Sequence, residues 1–391
     1  MRATKSMGYV PGLDGIRGIA ILGVMLFHFG LVEMGWMGVE FFFVLSGYLI
    51  TRILSRGKSW PLGFYLKRFY WRRTLRIFPL YFGFLLLLLP GYGLTGHPSG
   101  LGEFLPYLAT YTFNIAMLSI EWTQHTFYHY LWSLSFEEQF YLIWPITVFL
   151  LSRRGLRNLC LGLMLVSPGI RYLLAEYLIE ARGTADLVGG MVYYFPAGQL
   201  DTFATGGLLA VVPWEQYIRR PQRWWAGLAG LFLAVGMVNL AWHLTANPDF
   251  ALTNLGYPVA SLAHGQHIWG HSLVNLTAAG LIILAAHPDA AARGFLGRAL
   301  EARGLVQLGK ISYGVYIIHW PLQMLLEKIF PLQTALPLRW LQFFPFLAVV
   351  VGLAWVIFHY YESWFLAQKT ARFHPPPGES APARSAPEGR F

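Results

Sequence analysis

Long apolar runs separated by short polar loops dominate the chain. Two of them read FPLYFGFLLLLLP at 78–90 and FFPFLAVVVGLAWVIFHYY at 343–361. A helix that crosses a membrane needs about 20 mostly apolar residues, and ten segments approach that length. The pattern therefore predicts an all-α fold, a polytopic transmembrane helical bundle of about ten spans. The predicted spans are 11–30, 36–51, 77–94, 131–151, 158–178, 191–212, 224–243, 268–287, 306–326 and 340–361.

Composition agrees with a membrane protein. Of the 391 residues, 55% are hydrophobic and only 12% are charged. Soluble domains carry about 25% charged residues, so this chain could not cover a water-exposed surface. Its formal net charge of +10 is spread over short loops, which argues against nucleic acid as a partner and indicates contact with membrane lipids.

The distribution of basic residues decides how the ambiguous apolar segment 103–120 is placed. Lysine and arginine are enriched in the cytoplasmic loops of membrane proteins. If 103–120 is re-entrant or interfacial and the N-terminus is cytoplasmic, 25 of the 29 basic residues lie inside. The sequence thus predicts a multi-pass protein of the cell inner (plasma) membrane with both termini cytoplasmic. The four basic residues not placed inside are Arg171, Arg182, Lys328 and Arg339.

Two regions are predicted from composition. Residues 1–366 form the membrane domain, and the Pro-, Ser- and Ala-rich segment 367–391 forms a disordered cytoplasmic tail because it has no apolar pattern. The single cysteine, Cys160, lies in an apolar run, which predicts a buried structural thiol rather than a nucleophile.

An ionisable pair lies on one face of the first predicted helix. Arg17 and His28 are eleven residues apart, and at 100° per residue they point within about 20° of the same direction. The rise of about 1.5 Å per residue separates them by about 16 Å, or half a bilayer core. Ionisable groups inside a membrane usually face the protein interior or an aqueous cavity. The alternative is a histidine that packs between helices and an arginine at the interface.

The most basic loop of the chain follows the second predicted helix, in which Glu40 and Ser46 are the only strongly polar side chains. The motif RRTLRIFPLY places Arg72, Arg73 and Arg76 beside the third helix. Guanidinium groups bind phosphate oxygens through paired hydrogen bonds, so these arginines suit a polyphosphate ligand. The bias toward basic cytoplasmic loops, or contact with anionic lipids, explains the same residues without a ligand.

Two further segments place polar groups in strongly apolar surroundings. Glu137 and Glu138 lie among aromatic residues where the helix WSLSFEEQFYLIWP enters the membrane. Adjacent carboxylates in such surroundings need a partner, and an imidazole such as that of His28 would serve. The segment LGKISYGVYIIHWPL adds Tyr313 and His319 on a helix that begins inside.

As an ordered set, these segments resemble acyltransferase family 3, the integral-membrane O-acyltransferases that modify cell-envelope glycans, nodulation factors and macrolides. The resemblance covers nearly the whole chain, from LDGIRGIAILGVMLFHF to YYESWF. Its most specific parts are LDGIRGIAILGVMLFH, GVEFFFVLSGYLI, RRTLRIFPLY, WSLSFEEQFYLIWP and ISYGVYIIHWPL.

The family motifs imply roles for individual residues of this chain. The essential arginine and histidine of the family correspond to Arg17 and His28. The arginine cluster of the family corresponds to Arg73 and Arg76, and its acidic motif to Glu137. The resemblance thus implies that 1–366 is an acyltransferase domain.

The implied reaction transfers an acyl group, in the simplest case acetyl, from cytoplasmic acyl-CoA to a hydroxyl of a cell-envelope saccharide. Arg17, Arg73 and Arg76 would hold the phosphates of acetyl-CoA, which is the donor substrate, so no permanently bound cofactor is expected. His28 would be the general base toward the acceptor, or a transient acyl carrier, and Glu137 would orient its imidazole. The residues expected to contact substrate are Glu40, Ser46, Trp132, Ser135, Glu138, Tyr313 and His319.

A different class of protein fits the same general features. Many helices, polar groups near the bilayer midplane and aromatic vestibules are also typical of a transporter or a flippase of a lipid-linked glycan. The two classes differ in chemistry, because a transporter leaves a thioester donor intact.

Two histidine groups have spacings that could hold a metal ion. His264, His267 and His271 are at i, i+3 and i+7 of a predicted helix, and His125 and His129 are at i and i+4. Neither group belongs to the family pattern, so we expect no metal. We expect both groups to line the outer vestibule or to contact lipid head groups or acceptor hydroxyls instead.

Overall fold

The computed structural model describes residues 9–95, 101–118, 127–182, 185–247 and 250–369. The tail predicted at 367–391 lies outside these ranges except for its first three residues. Within them the chain forms helices and no β-strand, which confirms the all-α prediction. The α-helices are α1 (Pro11–His28), α2 (Met37–Arg56), α3 (Leu62–Thr95), α4 (Leu101–Ala109), α5 (Phe113–Ala116), α6 (Trp132–Leu150), α7 (Arg153–Arg182), α8 (Ala185–Tyr194), α9 (Leu200–Val211), α10 (Pro221–Ala246), α11 (Gln266–Ala286), α12 (Ala290–Leu300), α13 (Arg303–Lys310), α14 (Ser312–Ile329), α15 (Leu336–Ile357) and α16 (Ser363–Ala367).

Six helical segments in the described ranges are long and apolar enough to cross a membrane. The other predicted spans coincide with helices that carry charged groups or are interrupted. The predicted span 191–212 is broken by a 3₁₀ turn at Pro196–Gln199, and 306–326 is broken at Ile311. The total number of crossings stays a prediction. The six segments are Glu33–Arg56, Leu62–Pro90, Arg153–Ala181, Pro221–Ala246, Ala263–Ala286 and Leu336–Ala367.

The segment predicted to be re-entrant or interfacial forms two short helices, α4 and α5, of nine and four residues. At 1.5 Å per residue even the longer one spans only about 14 Å, too little to cross a bilayer core. The chain reverses at Tyr111, which has a left-handed φ of 54°. The amide of Gln139 on α6 donates to Asn114 at 2.8 Å and holds the segment against the bundle.

Helices differ in how much of their apolar surface is covered by protein. In the spans that contain α2 and α11, 61% and 72% of the most apolar stretch is buried inside the protein. In the spans that contain α7, α10 and α15, the buried share is 22% each. Large apolar side chains such as Leu87, Leu165 and Phe344 point outward. The peripheral helices therefore face lipid, while α1, α2 and α11 lie in mutual contact at the centre.

Two glycines allow α2 and α9 to touch through their backbones. A Cβ atom at Gly47 would lie 2.2 Å from the carbonyl oxygen of Phe203, and one at Gly206 would lie 1.9 Å from that of Val44. Any side chain at either position would force the helices apart. Close approach through small residues is the usual way that helices associate in membranes, where no hydrophobic effect drives them together.

Candidate active site

A cavity of about 940 Å³ opens between α1, α6, α8 and α14, with His28 in its wall. Aromatic side chains form much of the wall, among them Trp36, Trp132, Tyr193 and Trp320. None of the described residues that line the cavity carries a permanent charge. Such a cavity suits an uncharged ligand that has apolar faces and hydrogen-bonding edges.

His28 is the last residue of α1, which ends where Gly30 takes a left-handed φ of 67°. Its ring meets His319 edge to edge, because Nδ1 of His28 lies 2.9 Å from Nε2 of His319 and the ring planes are 12° apart. The ring of Trp320 packs edge-on against it, with centroids 4.8 Å apart. The Gln323 amide donates to the backbone carbonyl of His28 at 2.9 Å and ties the end of α1 to α14.

Hydrogen bonds within α14 and across to the turn before α6 hold His319 in place. His319 is fully buried, and its Nδ1 lies 2.7 Å from the carbonyl oxygen of Tyr316 one turn earlier. The Tyr316 hydroxyl donates to the carbonyl of Tyr130 at 2.8 Å, and the Tyr130 hydroxyl donates to Ile317. His319 does not line the cavity, so it contacts His28 rather than occupying the substrate position predicted for it.

The three arginines predicted to bind phosphates come together nearer the other end of α1. The Arg76 guanidinium lies within electrostatic reach of Arg17 and Arg73, and of the Glu362 carboxylate on the π-helical turn after α15. Arg17 also pairs with Asp14 at 2.6 Å. Guanidinium groups bind phosphate oxygens through paired hydrogen bonds, so three of them in one cluster suit a ligand with several phosphate groups.

Glu137 joins the arginine end of the site. Its Oε1 accepts hydrogen bonds from Ser46 Oγ at 2.6 Å and from the Tyr141 hydroxyl. The Tyr141 ring lies beside the Arg73 guanidinium, with its centroid 4.8 Å from Cζ. The sequence predicted that Glu137 orients the imidazole of His28. In the structure the ring of His28 instead contacts the ring of His319 on α14. Glu137 lies more than one helical turn beyond the part of α6 that reaches the cavity, so its carboxylate meets other partners.

Of the predicted substrate contacts, Trp132 lines the cavity, whereas Ser135, Glu138 and Tyr313 do not. The Ser135 hydroxyl is fully buried and donates a hydrogen bond to the carbonyl of Leu131, the residue before α6. One carboxylate oxygen of Glu138 is buried and has no hydrogen-bond partner among the described residues. The Tyr313 hydroxyl donates to the carbonyl of Ile77 at 2.7 Å, which fastens α14 to α3.

Glu40 also lies outside the cavity, in a buried polar network. Its carboxylate accepts a hydrogen bond from the Thr202 hydroxyl at 3.0 Å and lies 3.1 Å from Nδ1 of His271. Asn275 extends the network by donating to Thr202 at 3.1 Å. Because these groups are buried and bonded to one another, Glu40 joins α2, α9 and α11 and does not take the substrate-binding position predicted for it.

The three histidines predicted on one helical face do not share it. Helix α11 begins at Gln266, so His264 lies before it, in a 3₁₀ turn with a φ of 52°. Its Nδ1 lies 2.9 Å from the side-chain oxygen of Asn239 on α10. His271 instead contacts Glu40 in the buried network described above. His267 lies in the first turn of α11, between these two histidines in the sequence.

The second histidine pair is only partly described. His129 lines the cavity, and His125 lies outside the described residues. Across the part of the chain that the structure describes, no three His, Cys, Asp or Glu side chains form a group that could hold a metal ion. His129, His28 and His243 are the histidines that line the cavity among the described residues.

A buried ion pair that the sequence did not assign joins α7, α9 and α11. Arg171 is fully buried and donates two parallel hydrogen bonds to Asp201, at 2.9 and 3.0 Å. The same guanidinium donates to the carbonyl of Ile268 at 3.0 Å and to Ser272 at 3.2 Å. An arginine within the predicted span 158–178 is the available signal, because charges inside a membrane need partners.

The fold and the site together define a helical membrane protein whose central helix carries an imidazole at an uncharged cavity and an arginine at a polybasic cluster. The family model described as an acyltransferase domain, that of acyltransferase family 3, matches residues 10–359. The chain belongs to this family, which confirms the resemblance seen in the sequence.

Several curated proteins are similar to the chain. The YrhL protein of Bacillus subtilis is 29% identical over 341 residues, which cover 82% of this chain and 50% of that protein. The O-acetyltransferase OatA of Staphylococcus aureus is 26% identical over 334 residues, with 80% and 50% covered. The peptidoglycan O-acetyltransferase OatA of Listeria monocytogenes is 28% identical over 344 residues, with 82% and 50% covered. The chain thus spans about half the length of the curated relatives it matches, and no solved structure matches it significantly.

Proposed function

We propose that this chain is a membrane O-acyltransferase that moves an acyl group, in the simplest case acetyl, from acyl-CoA to a hydroxyl of a cell-wall saccharide. The observation that carries the proposal is the placement of Arg17, in its arginine cluster, and of His28 on one helix, about 16 Å apart. A donor bound through its phosphates can thereby present its thioester toward the imidazole. The names of all three relatives include O-acetyltransferase, and two of the names specify peptidoglycan, which favours a cell-wall glycan as acceptor.

The aromatic cavity supports a saccharide as the acceptor. The ring faces of Trp36, Trp132 and Tyr193 can pack against the apolar faces of a sugar. Phenol, indole and imidazole edges in the same wall can form hydrogen bonds with its hydroxyl groups. The lack of permanent charge in the described wall fits a neutral sugar ring at the reacting position.

The chemistry needs one group that accepts and returns a proton. His28 removes the proton of the acceptor hydroxyl while the hydroxyl oxygen attacks the thioester carbonyl carbon. The carbon–sulfur bond breaks, and the CoA thiolate leaves and takes the proton from the imidazolium. A two-step route in which His28 first carries the acyl group uses the same contacts, and imidazole suits both because it exchanges protons near neutral pH.

Purified protein incubated with a cell-wall glycan and acetyl-CoA labelled in its acetyl group tests the proposal. We expect the label to appear in an ester on the glycan, with an equal amount of CoA thiol released. A transporter or flippase of a lipid-linked glycan would leave the thioester intact. An intact thioester in the presence of the glycan would therefore contradict the transferase.

The arginine cluster should determine the affinity for the donor. Arg73→Ala and Arg76→Ala should each raise the KM for acetyl-CoA by an amount that corresponds to about 1.5–3 kcal/mol, because each removes a charged hydrogen bond to phosphate. With acetylpantetheine, which lacks the nucleotide phosphates, the difference in donor KM between these variants and the wild type should be smaller. The measurement is steady-state kinetics with both donors.

A cation elsewhere on the same helix provides the matched control for these variants. Lys67 lies on an exposed face of α3, so Lys67→Ala should leave the KM for acetyl-CoA close to that of the wild type. If the two arginine variants lose the same activity with both donors, the cluster acts on folding or membrane orientation and not on the donor.

We further propose that the protein lies in the inner (plasma) membrane with both termini cytoplasmic, on the distribution of its basic residues. Single cysteines at Ser152 and Gln222 should then be shielded from impermeant thiol reagents in intact cells, and one at Asn247 should be labelled. The background is low because the native Cys160 is fully buried. Labelling at Ser152 from outside would contradict the proposed orientation and the ten-span arrangement.

A further inference from the structure

We propose that His319 is a positioning residue that fixes which nitrogen of His28 carries a proton, so that Nε2 of His28 acts on the acceptor. The catalytic consequence rests on the proposed function. The hydrogen bonds that carry the inference involve no substrate. They form a chain from the Tyr316 carbonyl through His319 to His28.

The first link assigns the proton on His319. Its Nδ1 lies 2.7 Å from the carbonyl oxygen of Tyr316. A carbonyl oxygen only accepts hydrogen bonds, so the Nδ1 of His319 must be the donor. In a neutral imidazole the other nitrogen then has no proton, and Nε2 of His319 is an acceptor.

The second link passes this assignment on to His28. Nε2 of His319 faces Nδ1 of His28 at 2.9 Å, and the rings meet nearly in one plane, which is the geometry of a hydrogen bond between ring edges. Because Nε2 of His319 accepts, Nδ1 of His28 must carry a proton and donate. The lone pair of a neutral His28 therefore lies on Nε2, and His28 forms part of the cavity wall.

A doubly protonated His319 would reverse these roles, but its surroundings oppose that state. The ring is fully buried, and the hydrogen-bond partners given for it are the imidazole of His28 and the backbone of Tyr316 and Val315, none of which carries a negative charge. An unpaired cation buried in a membrane protein is strongly disfavoured. The neutral form is thus the one that the site selects.

The arrangement performs the task that a carboxylate performs in hydrolase triads, without placing a charge next to the histidine. In such triads the carboxylate holds one imidazole tautomer and the ring orientation. Here a carbonyl and a neutral imidazole do so. When His28 takes the acceptor proton at Nε2, its Nδ1–H becomes a charged donor, and the hydrogen bond to His319 strengthens.

Two amide substitutions separate the contact with His28 from the contact with Tyr316. A glutamine at position 319 can place its amide where Nε2 of the imidazole lies, within reach of His28. An asparagine can place its amide only where Nδ1 lies, within reach of the Tyr316 carbonyl. His319→Leu removes both contacts, and thermal unfolding of each purified variant shows whether it folds.

We expect His319→Asn and His319→Leu to lower kcat about 10²–10³-fold with little change in either KM, because the wrong tautomer of a catalytic histidine is costly. His319→Gln should retain kcat within about tenfold of the wild type, since it restores the acceptor for Nδ1 of His28. If asparagine serves as well as glutamine, or if the leucine variant keeps wild-type kcat, His319 does not position His28. A rise in the acceptor KM alone would make it a binding residue and overturn the proposal.

A spectroscopic measurement separates this proposal from the proposed function. Nitrogen-15 NMR of histidine-labelled protein distinguishes the two imidazole tautomers, and the signal lost in His28→Gln identifies His28. The wild type should show the Nδ1–H form, and His319→Leu should change it. An Nε2–H form in the wild type would overturn the proposal even in an active enzyme. An Nδ1–H form in a protein that leaves acetyl-CoA intact would uphold the geometry and reject the transferase.

Discussion

Replacing His28 with alanine should reduce acetyl transfer by at least about 10²–10⁴-fold, because general-base or nucleophilic participation contributes that much to the rate. The protein should remain folded and inserted, since His28 ends α1 at the cavity and the hydrogen bond donated by the Gln323 amide is accepted by its backbone carbonyl. The measurement is the rate of transfer from labelled acetyl-CoA, with thermal unfolding as the check on folding.

A second cavity histidine provides the matched control. His243 also lines the cavity, and its ring stacks on Phe250 with centroids 4.3 Å apart, whereas the ring of His28 contacts His319. His243→Ala should therefore affect the acceptor KM more than kcat. A folded His28→Ala protein with near-normal transfer would leave His28 as a packing residue only.

The largest effect on stability should come from breaking the ion pair between Arg171 and Asp201. Arg171→Leu leaves a carboxylate buried without its partner, which typically costs about 3–5 kcal/mol of unfolding free energy. We expect a clear fall in the Tm of the detergent-solubilised protein and in the yield of folded material. The loss of stability should be large because the same guanidinium also donates hydrogen bonds to the carbonyl of Ile268 and the hydroxyl of Ser272.

Two further variants serve as controls for this measurement. Arg157→Leu, on the exposed first turns of the same helix α7, should change the Tm little. Combining Arg171→Leu with Asp201→Leu removes both charges and should recover part of the lost stability, because no charge is then left unpaired. Equal Tm values for Arg171→Leu and Arg157→Leu would show that the buried pair adds no stability.

The sequence predicted most of the architecture because its main signal is local. Apolar runs mark helices wherever the solvent is lipid, so all ten predicted spans coincide with helical segments. The breaks at Pro196–Gln199 and Ile311 were missed because hydropathy does not register a change of backbone direction. Hydropathy also gave no sign that His264 lies outside α11, since its left-handed φ interrupts an otherwise helical pattern.

The site was predicted in its parts but not in its pairings. Arg73 and Arg76 belong to one motif, and Arg17, which precedes Arg73 by 56 residues, lies within electrostatic reach of Arg76. The partner of His28 is 291 residues away in the sequence, and no periodicity reveals that α1 and α14 are neighbours. Glu137 was assigned to His28 because both are polar groups in apolar surroundings. Which polar groups meet depends on helix packing, and that placed Glu137 beside Ser46.

Under the proposed function, the rigid stretch of α1 between Arg17 and His28 would set the length that a donor must span. Eleven residues of continuous helix fix the gap at about 16 Å, and no side chain of α1 can shorten it. If phosphates are held at one end and the acyl group reacts at the other, the flexible arm between them must match that length. Donors with the right phosphates but a shorter arm should bind without reacting. Selection among donors would then depend on reach as well as on charge.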